Sequence, residues 1–159
     1  MKIVKIILII LIGISVFLFI MYRAAKLIAP DHYPNAEEYK LNISDSELIK
    51  KIAKFKTDNP QYIPPTSMQL TDGWDSKIHF YYYIYFYYSQ ENQIVFAYVK
   101  NDNKPQSTFA LVSINDGLIL GHWKDINKDF DKTENNEQKK KFEERILNKI
   151  ILPKGLYKL

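Results

Sequence analysis

The sequence predicts an α+β protein in which an N-terminal transmembrane helix is followed by a domain of the order α-β-β-β-β-α. Three observations predict it: an uncharged run of 17 residues near the N-terminus, two amphipathic helical patterns, and four strand-like segments between those patterns. The strand-like segments are joined by short, turn-rich connections, which favour an antiparallel meander because parallel strands need long crossovers. We therefore expect a four-stranded antiparallel meander sheet with both helices on one face.

The uncharged run covers residues 6–22 and reads IILIILIGISVFLFIMY. As a helix it would be about 26 Å long, close to the thickness of the hydrocarbon core of a bilayer. A cleaved signal peptide is the alternative, but its apolar region is normally shorter and is followed by a small-x-small cleavage site. The length of the run favours an uncleaved signal-anchor that crosses the membrane once.

This interpretation divides the chain into a signal-anchor (1–28), a linker (29–42) and an extracytoplasmic domain (43–159). The linker contains two prolines and no amphipathic period, as is typical of a stiff connection. Two basic residues precede the apolar run 6–22 and two follow it, so loop charge scarcely decides the orientation. We place the domain outside the cytoplasm because a very short N-terminal tail that leads a long domain usually stays inside.

Each predicted helix has a capping signal and a buried stripe. Ser44 and Glu47 fit a capping box at the start of the first helix, and Asp131 or Thr133 is expected to cap the last helix, from about Glu134 to Ile150. Apolar residues at helical spacing form the two stripes: Leu48, Ile49, Ile52 and Phe55 in the first helix, and Phe142, Ile146, Leu147 and Ile150 in the last.

Alternating and β-branched residues predict the strands, which are Lys77–Ser89, Gln93–Lys100, Ser107–Ile114 and Leu118–Trp123. An Asp-Gly pair before the last strand is a hairpin signal. The proline-rich segment 59–73 is expected to be an ordered loop with a short edge strand near Met68–Leu70.

The most unusual stretch, residues 78–88, reads IHFYYYIYFYY. Side chains of a strand alternate between its two faces, so one face would present isoleucine, phenylalanine and tyrosine to the helices. The opposite face would present His79 and four tyrosines. If a two-residue turn follows, Tyr87 faces Phe96 and Tyr85 faces Tyr98; a three-residue turn would place Val95 and Ala97 there instead.

Three interpretations of this second face remain open. Tyrosine is a good strand former, so the face could simply be a moderately exposed sheet. The loop 59–73 or a second copy could cover it. Exposed aromatic patches also mark binding surfaces, where tyrosine supplies area and a hydrogen bond at low entropic cost. The candidate partner-binding residues are Tyr81, Tyr83, Tyr85, Tyr87 and Tyr98.

Composition excludes several classes of protein. The chain has no cysteine, so disulfides, thiol catalysis and cysteine-ligated metals are excluded. Four of its 22 basic residues flank the anchor, and the remaining 18 balance 18 acidic residues. A nucleic-acid-binding domain would concentrate positive charge, and we expect none here.

No catalytic or cofactor motif is present. The segment Asp125–Asp131 begins like a calcium loop, but Phe130 stands where the turn needs glycine and Asn136 where the loop needs glutamate. The three histidines, His32, His79 and His122, lack metal-ligand spacing. We therefore expect no metal, no cofactor and no enzymatic activity.

The sequence favours a membrane-anchored protein-binding module, such as an immunity or inhibitor protein or an accessory subunit of a cell-envelope complex. The alternative is a small-ligand sensor or carrier with a pocket between the sheet and the helices.

Overall fold

The computed structural model describes residues 11–21, 32–75, 80–100 and 105–151. The chain forms two units, Met1–Pro34 and Asn35–Leu159. In the first unit, residues 11–21 are helical, and their large apolar side chains are all more than half exposed. Within the described residues, no helix is both long enough and apolar enough to cross a bilayer. The rest of the predicted anchor helix, 6–10 and 22, lies outside those residues.

The second unit confirms the predicted α+β class and the antiparallel sheet. The strands are β1 (Glu37–Leu41), β2 (Gly73–Trp74), β3 (Tyr81–Tyr88), β4 (Gln93–Lys100), β5 (Ser107–Asp116) and β6 (Trp123–Asp125). Every described strand pair is antiparallel, and the order is β1-β5-β4-β3-β2, with β6 also paired to β5. The first three predicted strands pair consecutively as a meander, and β1, β2 and β6 extend the sheet.

The helices begin where the capping residues predict. The Ser44 side chain accepts a hydrogen bond from the Glu47 amide, and Asp131 accepts from the amides of Thr133 and Glu134. Short 3₁₀ turns, Pro60–Tyr62 and Thr66–Met68, lie in the proline-rich loop. The helical elements are α1 (Asp45–Asp58), α2 (Lys132–Phe142), a π-helical turn (Glu143–Leu147) and α3 (Asn148–Ile151).

One core lies between the helices and one face of the sheet. Both predicted stripes point into it: Leu48, Ile52 and Phe55 from α1 are buried, as are the four predicted residues of the last helical segment. The sheet contributes alternate residues of β3 and β4, as the period of two requires, and residues of β5 on both sides of a shift in its register with β4. These residues are Ile84, Phe86, Tyr88, Val95, Ala97, Val99, Phe109, Leu111 and Ile114.

Five residues of the predicted linker, Glu37–Leu41, form β1. Glu37–Leu41 pair with Leu111–Ser107 of β5, and Tyr39 and Leu41 pack against the core. The strand is only five residues long and mostly polar, so its alternation of polar and apolar residues is a weak strand signal. The two prolines before it are a stronger signal for a loop. Tyr39 and Leu41 have a surface to pack against only when β1 is paired with β5.

The fourth predicted strand is wrong, because Leu118–His122 form a hairpin loop and only Trp123–Asp125 pair with β5. The buried Asn115 side chain explains the difference: its amide donates to the carbonyls of Gly117 and Ile119, and its oxygen accepts from the His122 amide. These bonds curl the chain where apolar alternation predicts extension. The edge strand expected near Met68–Leu70 lies instead at β2, three residues later.

Candidate interaction surface

The β3–β4 connection decides which residues face the tyrosines. Ser89–Asn92 form a four-residue turn, so Tyr87 faces Ile94, Tyr85 faces Phe96, and Tyr83 faces Tyr98. The register therefore differs from both predicted alternatives. An even number of turn residues nevertheless keeps aromatic side chains opposite each other, as the two-residue turn would have done.

The predicted alternation of faces is present, but the five candidate tyrosines differ in exposure. Tyr98 is 0% exposed and Tyr81 is 2% exposed, whereas Tyr83, Tyr85 and Tyr87 are partly exposed. The first two can therefore support a contact surface but contribute little area to it. The accessible part of the candidate face is its middle and the end nearest the β3–β4 turn.

Aromatic rings form a connected network across this face. The Phe96 ring contacts Tyr83 at 5.4 Å edge-to-face and Tyr85 at 5.2 Å nearly parallel, measured between ring centroids. Trp123 of β6 continues the network, 6.2 Å from Phe96. We call the partly exposed set the aromatic ridge: Tyr83, Tyr85, Tyr87, Phe96 and Trp123.

The buried tyrosines brace the ridge from one side. The rings of Tyr81 and Tyr98 meet edge-to-face at 4.8 Å, and Tyr81 lies 6.5 Å from Tyr83 in a parallel arrangement. The Tyr98 hydroxyl donates to Glu38 Oε1 at 2.8 Å, which ties β4 to β1 across β5. Ring contacts of this kind add stability beyond buried area, so the ridge is ordered before any partner arrives.

Hydroxyl groups give the ridge a polar edge. The Tyr87 hydroxyl donates to Asn92 Oδ1 at 2.9 Å, at the β3–β4 turn. Burial, with Tyr83 and Asp72 nearby, raises the pKa of Tyr85 above its ordinary value. Its hydroxyl therefore stays protonated at neutral pH and is a hydrogen-bond donor.

A buried ion pair fixes the backbone that carries the ridge. Lys56 Nζ lies 2.6 Å from Asp72 Oδ2 and donates to the Tyr85 carbonyl at 2.7 Å, while Asp72 Oδ1 accepts from the Tyr85 amide at 3.0 Å. β2 pairs only with Tyr82 and Tyr83, so the amide and the carbonyl of Tyr85 have no partner strand on that edge. Asp72 and Lys56 provide their hydrogen bonds instead. Burial lowers the pKa of Lys56, and the Asp72 carboxylate opposes that shift.

Two clefts lie beside the helical elements. The first, of about 330 Å³, adjoins one end of the ridge and is lined by the 3₁₀ turn Pro60–Tyr62, by Tyr87 and Tyr88 at the end of β3, and by Arg145 of the π-helical turn. Arg145 is bound to Glu91 by two hydrogen bonds, of 2.8 and 3.0 Å, and lies over the Tyr88 ring. The second, of about 300 Å³, lies between α1 and α3 and is lined by lysines and Phe55.

The acidic segment after β6 is engaged with protein groups. Asp129 accepts from the Asp125 amide, Lys128 lies within 4 Å of both carboxylates, and Asp131 caps α2. Across the part of the chain that the structure describes, no three histidine, aspartate or glutamate side chains converge as metal ligands would. His32 and His122 are exposed, and His79 lies outside the described residues.

Comparison with protein-family models, curated proteins and solved structures found nothing that matches this chain. The functional argument therefore rests on the ridge itself. The candidate residues from the sequence left out two of its members: Phe96, which the two-residue turn would have placed opposite Tyr87, and Trp123. The pairing of β3 with β4 and of β5 with β6 is what brings them to the tyrosines, and only the correct registers could have identified both.

Proposed function

We propose that this chain is a single-pass membrane protein whose extracytoplasmic domain binds another protein through the aromatic ridge. The observation that carries the proposal is the ring network of the ridge, which is ordered, partly exposed and spread over three strands. Aromatic side chains held in this way bury large area on binding and lose little side-chain entropy. The domain has no enzymatic role in this proposal.

The exposed helix 11–21 supports the membrane part of the proposal. Its large apolar side chains, from Leu11 to Met21, are all more than half exposed. A largely apolar surface of this extent is costly in water and favourable in lipid. The flanking lysines and arginine suit the head-group region on either side of residues 6–22.

Such a module would act by capture at the membrane surface. The ring faces of Tyr83, Tyr85 and Phe96 would be buried by the partner, and tyrosine hydroxyls would donate hydrogen bonds at the rim. Tethering confines the module near other envelope proteins and so raises its effective concentration. An immunity or inhibitor protein and an accessory subunit of an envelope complex both fit this behaviour.

The test is capture of a partner by the full-length protein after gentle detergent extraction from its native membrane. We expect one stoichiometric protein to co-purify with the wild type and to be lost from the double variant Tyr83→Ser/Tyr85→Ser. Lys50→Ser, an exposed change on α1, is the matched control and should retain the partner. Tyr83→Phe/Tyr85→Phe keeps the rings and separates their contribution from that of the hydroxyls. Retention by a folded serine variant would refute the proposal.

A small-ligand sensor is the second candidate, and one observation favours it. The Tyr88 side chain lines the first cleft, is 2% exposed, and its hydroxyl has no hydrogen-bond partner among the described residues. A ligand with an acceptor group could satisfy that hydroxyl. A ligand that raises the melting temperature of the wild type, but not of Tyr88→Phe, would support this function.

A further inference from the structure

The hairpin between β5 and β6 ends in three consecutive apolar residues that face solvent. Leu118 is 38% exposed, Ile119 is 73% exposed and Leu120 is 44% exposed. Ile119 is the most exposed large apolar side chain among the described residues. Hairpin loops are ordinarily polar, so these three residues, here called the apolar tip, need a physical explanation.

The loop that carries the apolar tip is built to hold it outward. The Asn115 side chain is 0% exposed and makes hydrogen bonds of 2.9 Å to the Gly117 carbonyl, 3.1 Å to the Ile119 carbonyl and 2.9 Å from the His122 amide. Gly117 and Gly121 have φ angles of 81° and 118°, which favour glycine. The tip therefore does not fold back onto the core, and little ordering remains to be done when it binds.

The chain enters the sheet from the side on which the apolar tip lies. β5 runs toward the tip, and β1 starts opposite Leu111 and runs the other way, ending opposite Ser107. Just before β1, the Asn35 carbonyl accepts a hydrogen bond from Asn127 Nδ2, which follows β6. The entry point therefore lies near the middle of β5, with the short strand β6 between it and the tip.

The connection to the apolar N-terminal segment is short. The 13 residues 22–34 can span at most about 45 Å. In the proposed function, a tether of that length keeps the entry point of the domain within about 45 Å of the membrane. At the base of the tip, Lys124 and Asp116 pair at 3.4 Å and offset each other's charge, and the partly exposed Trp123 adjoins them. An apolar tip beside a tryptophan suits the interface of a lipid bilayer.

We propose that the apolar tip is a second membrane contact, inserted into the interfacial region of the bilayer that holds the N-terminal anchor. This inference rests on the proposed tether for the identity of the membrane. Two points of attachment would restrict the orientation of the domain relative to the membrane. Partners would then reach the aromatic ridge from a restricted range of directions.

The absence of cysteine makes the test direct, because a single introduced cysteine can be labelled specifically. Ile119→Cys in the full-length protein would carry an environment-sensitive fluorophore and be reconstituted into phosphatidylcholine vesicles. Some vesicles would contain lipid with a quenching doxyl group near the head of the acyl chain. We expect the label to shift its emission to the blue and to lose about half of its intensity with the quenching lipid, as for a group at the acyl-chain boundary.

Ser46→Cys is the matched control. It is exposed in the first turn of α1, after β1 ends at the opposite end of the sheet, so its label should be neither shifted nor quenched. Leu120→Cys repeats the experiment at a neighbouring position. An unquenched label at 119 and 120 would overturn the proposal. A blue shift that depends on protein concentration and appears without vesicles would overturn it in favour of self-association.

Flotation of the same samples separates this inference from the proposed tether. Floating protein with an unquenched tip label would refute the tip contact and leave the anchor standing. Failure of both readouts would refute both proposals.

Discussion

The ion pair between Lys56 and Asp72, which fixes the backbone of the aromatic ridge, allows a quantitative prediction. Lys56→Met removes the ammonium group from between Asp72 and the Tyr85 carbonyl, where it makes contacts of 2.6 and 2.7 Å. Coulomb attraction at this distance is about 6 kcal/mol at an effective dielectric constant near 20. Desolvation by burial outweighs that attraction in its effect on Lys56, because the pKa of Lys56 is lowered in spite of the nearby Asp72 carboxylate. The net contribution of the pair is therefore small, whereas the loss of one member is costly.

The side chains of Lys56 and Asp72 are 11% and 23% exposed, so water screens the remaining charge only in part. We expect Lys56→Met to lower the free energy of unfolding by about 3 kcal/mol, because it leaves a carboxylate largely desolvated and unpaired. Asp72→Asn should cost about 2 kcal/mol for the converse reason. The double variant should also cost only about 2 kcal/mol, because an amide at position 72 can serve the Tyr85 backbone without a charge. The resulting coupling energy is about 3 kcal/mol.

The assay is denaturant unfolding of the full-length protein in mild detergent, followed by tryptophan fluorescence. Trp74 is a suitable reporter, because it lies two residues after Asp72 and packs against Tyr82 at 5.3 Å between ring centroids. Additive single and double effects would refute the coupling that the geometry requires. A Lys56→Met variant as stable as the wild type would refute the account of the buried carboxylate.

Three further predictions concern other polar groups. The Arg145 hydrogen bonds hold the pKa of Glu91 below its ordinary value of 4.5, so their stabilisation is present above that pH and is lost as pH falls through the folded pKa. Wild type and Arg145→Gln should differ in free energy of unfolding by about 1 kcal/mol at neutral pH, and this difference should disappear in acid. A difference that does not change with pH would contradict the linkage. Asn115→Ala should cost about 2 kcal/mol in thermal unfolding, because three buried hydrogen bonds are lost, and a neutral effect would refute its role in the loop. Burial raises the pKa of Tyr39 and Tyr88, so Tyr39→Phe and Tyr88→Phe should reduce only the late part of an alkaline absorbance titration; loss of the early part would show that these hydroxyls are accessible.

Local signals were sufficient for the helices and for the central strands. Ser44 and Asp131 cap the helices through hydrogen bonds to amides within three residues, and a cap of this kind depends on few distant contacts. The bounds of β4 follow from the apolar run between two turns, and the structure has them at the predicted residues.

Non-local contacts decided what the sequence analysis missed. β1 is a strand because β5 is beside it, and Lys56 is buried on α1 because Asp72 reaches it from the following loop. Neither fact has a local sequence pattern. The Leu118–Trp123 segment was misassigned because one buried side chain, Asn115, outweighs strand propensity there.

For the candidate surface, the alternation of tyrosines predicted the correct face but not the exposure of each ring. A period of two assigns a side chain to a face and does not say what else covers it. Tyr81 and Tyr98 lie on the predicted face and are buried, while Tyr83, Tyr85 and Tyr87 are accessible. The length of the turn after β3 sets which rings of β3 and β4 lie opposite each other. Composition does not determine the length of that turn.

The π-helical turn Glu143–Leu147 has a consequence for how this chain can change in evolution. Gln138, Phe142, Ile146 and Ile150 are buried at strict intervals of four, although a regular α-helix turns 40° too far over four residues. The wider turn takes back part of that drift and keeps the later side chains against the sheet. Removing one residue from the turn would rotate Ile150 away from the core by about 100°. Homologous sequences should therefore conserve the length of this segment more strictly than the identity of its exposed residues.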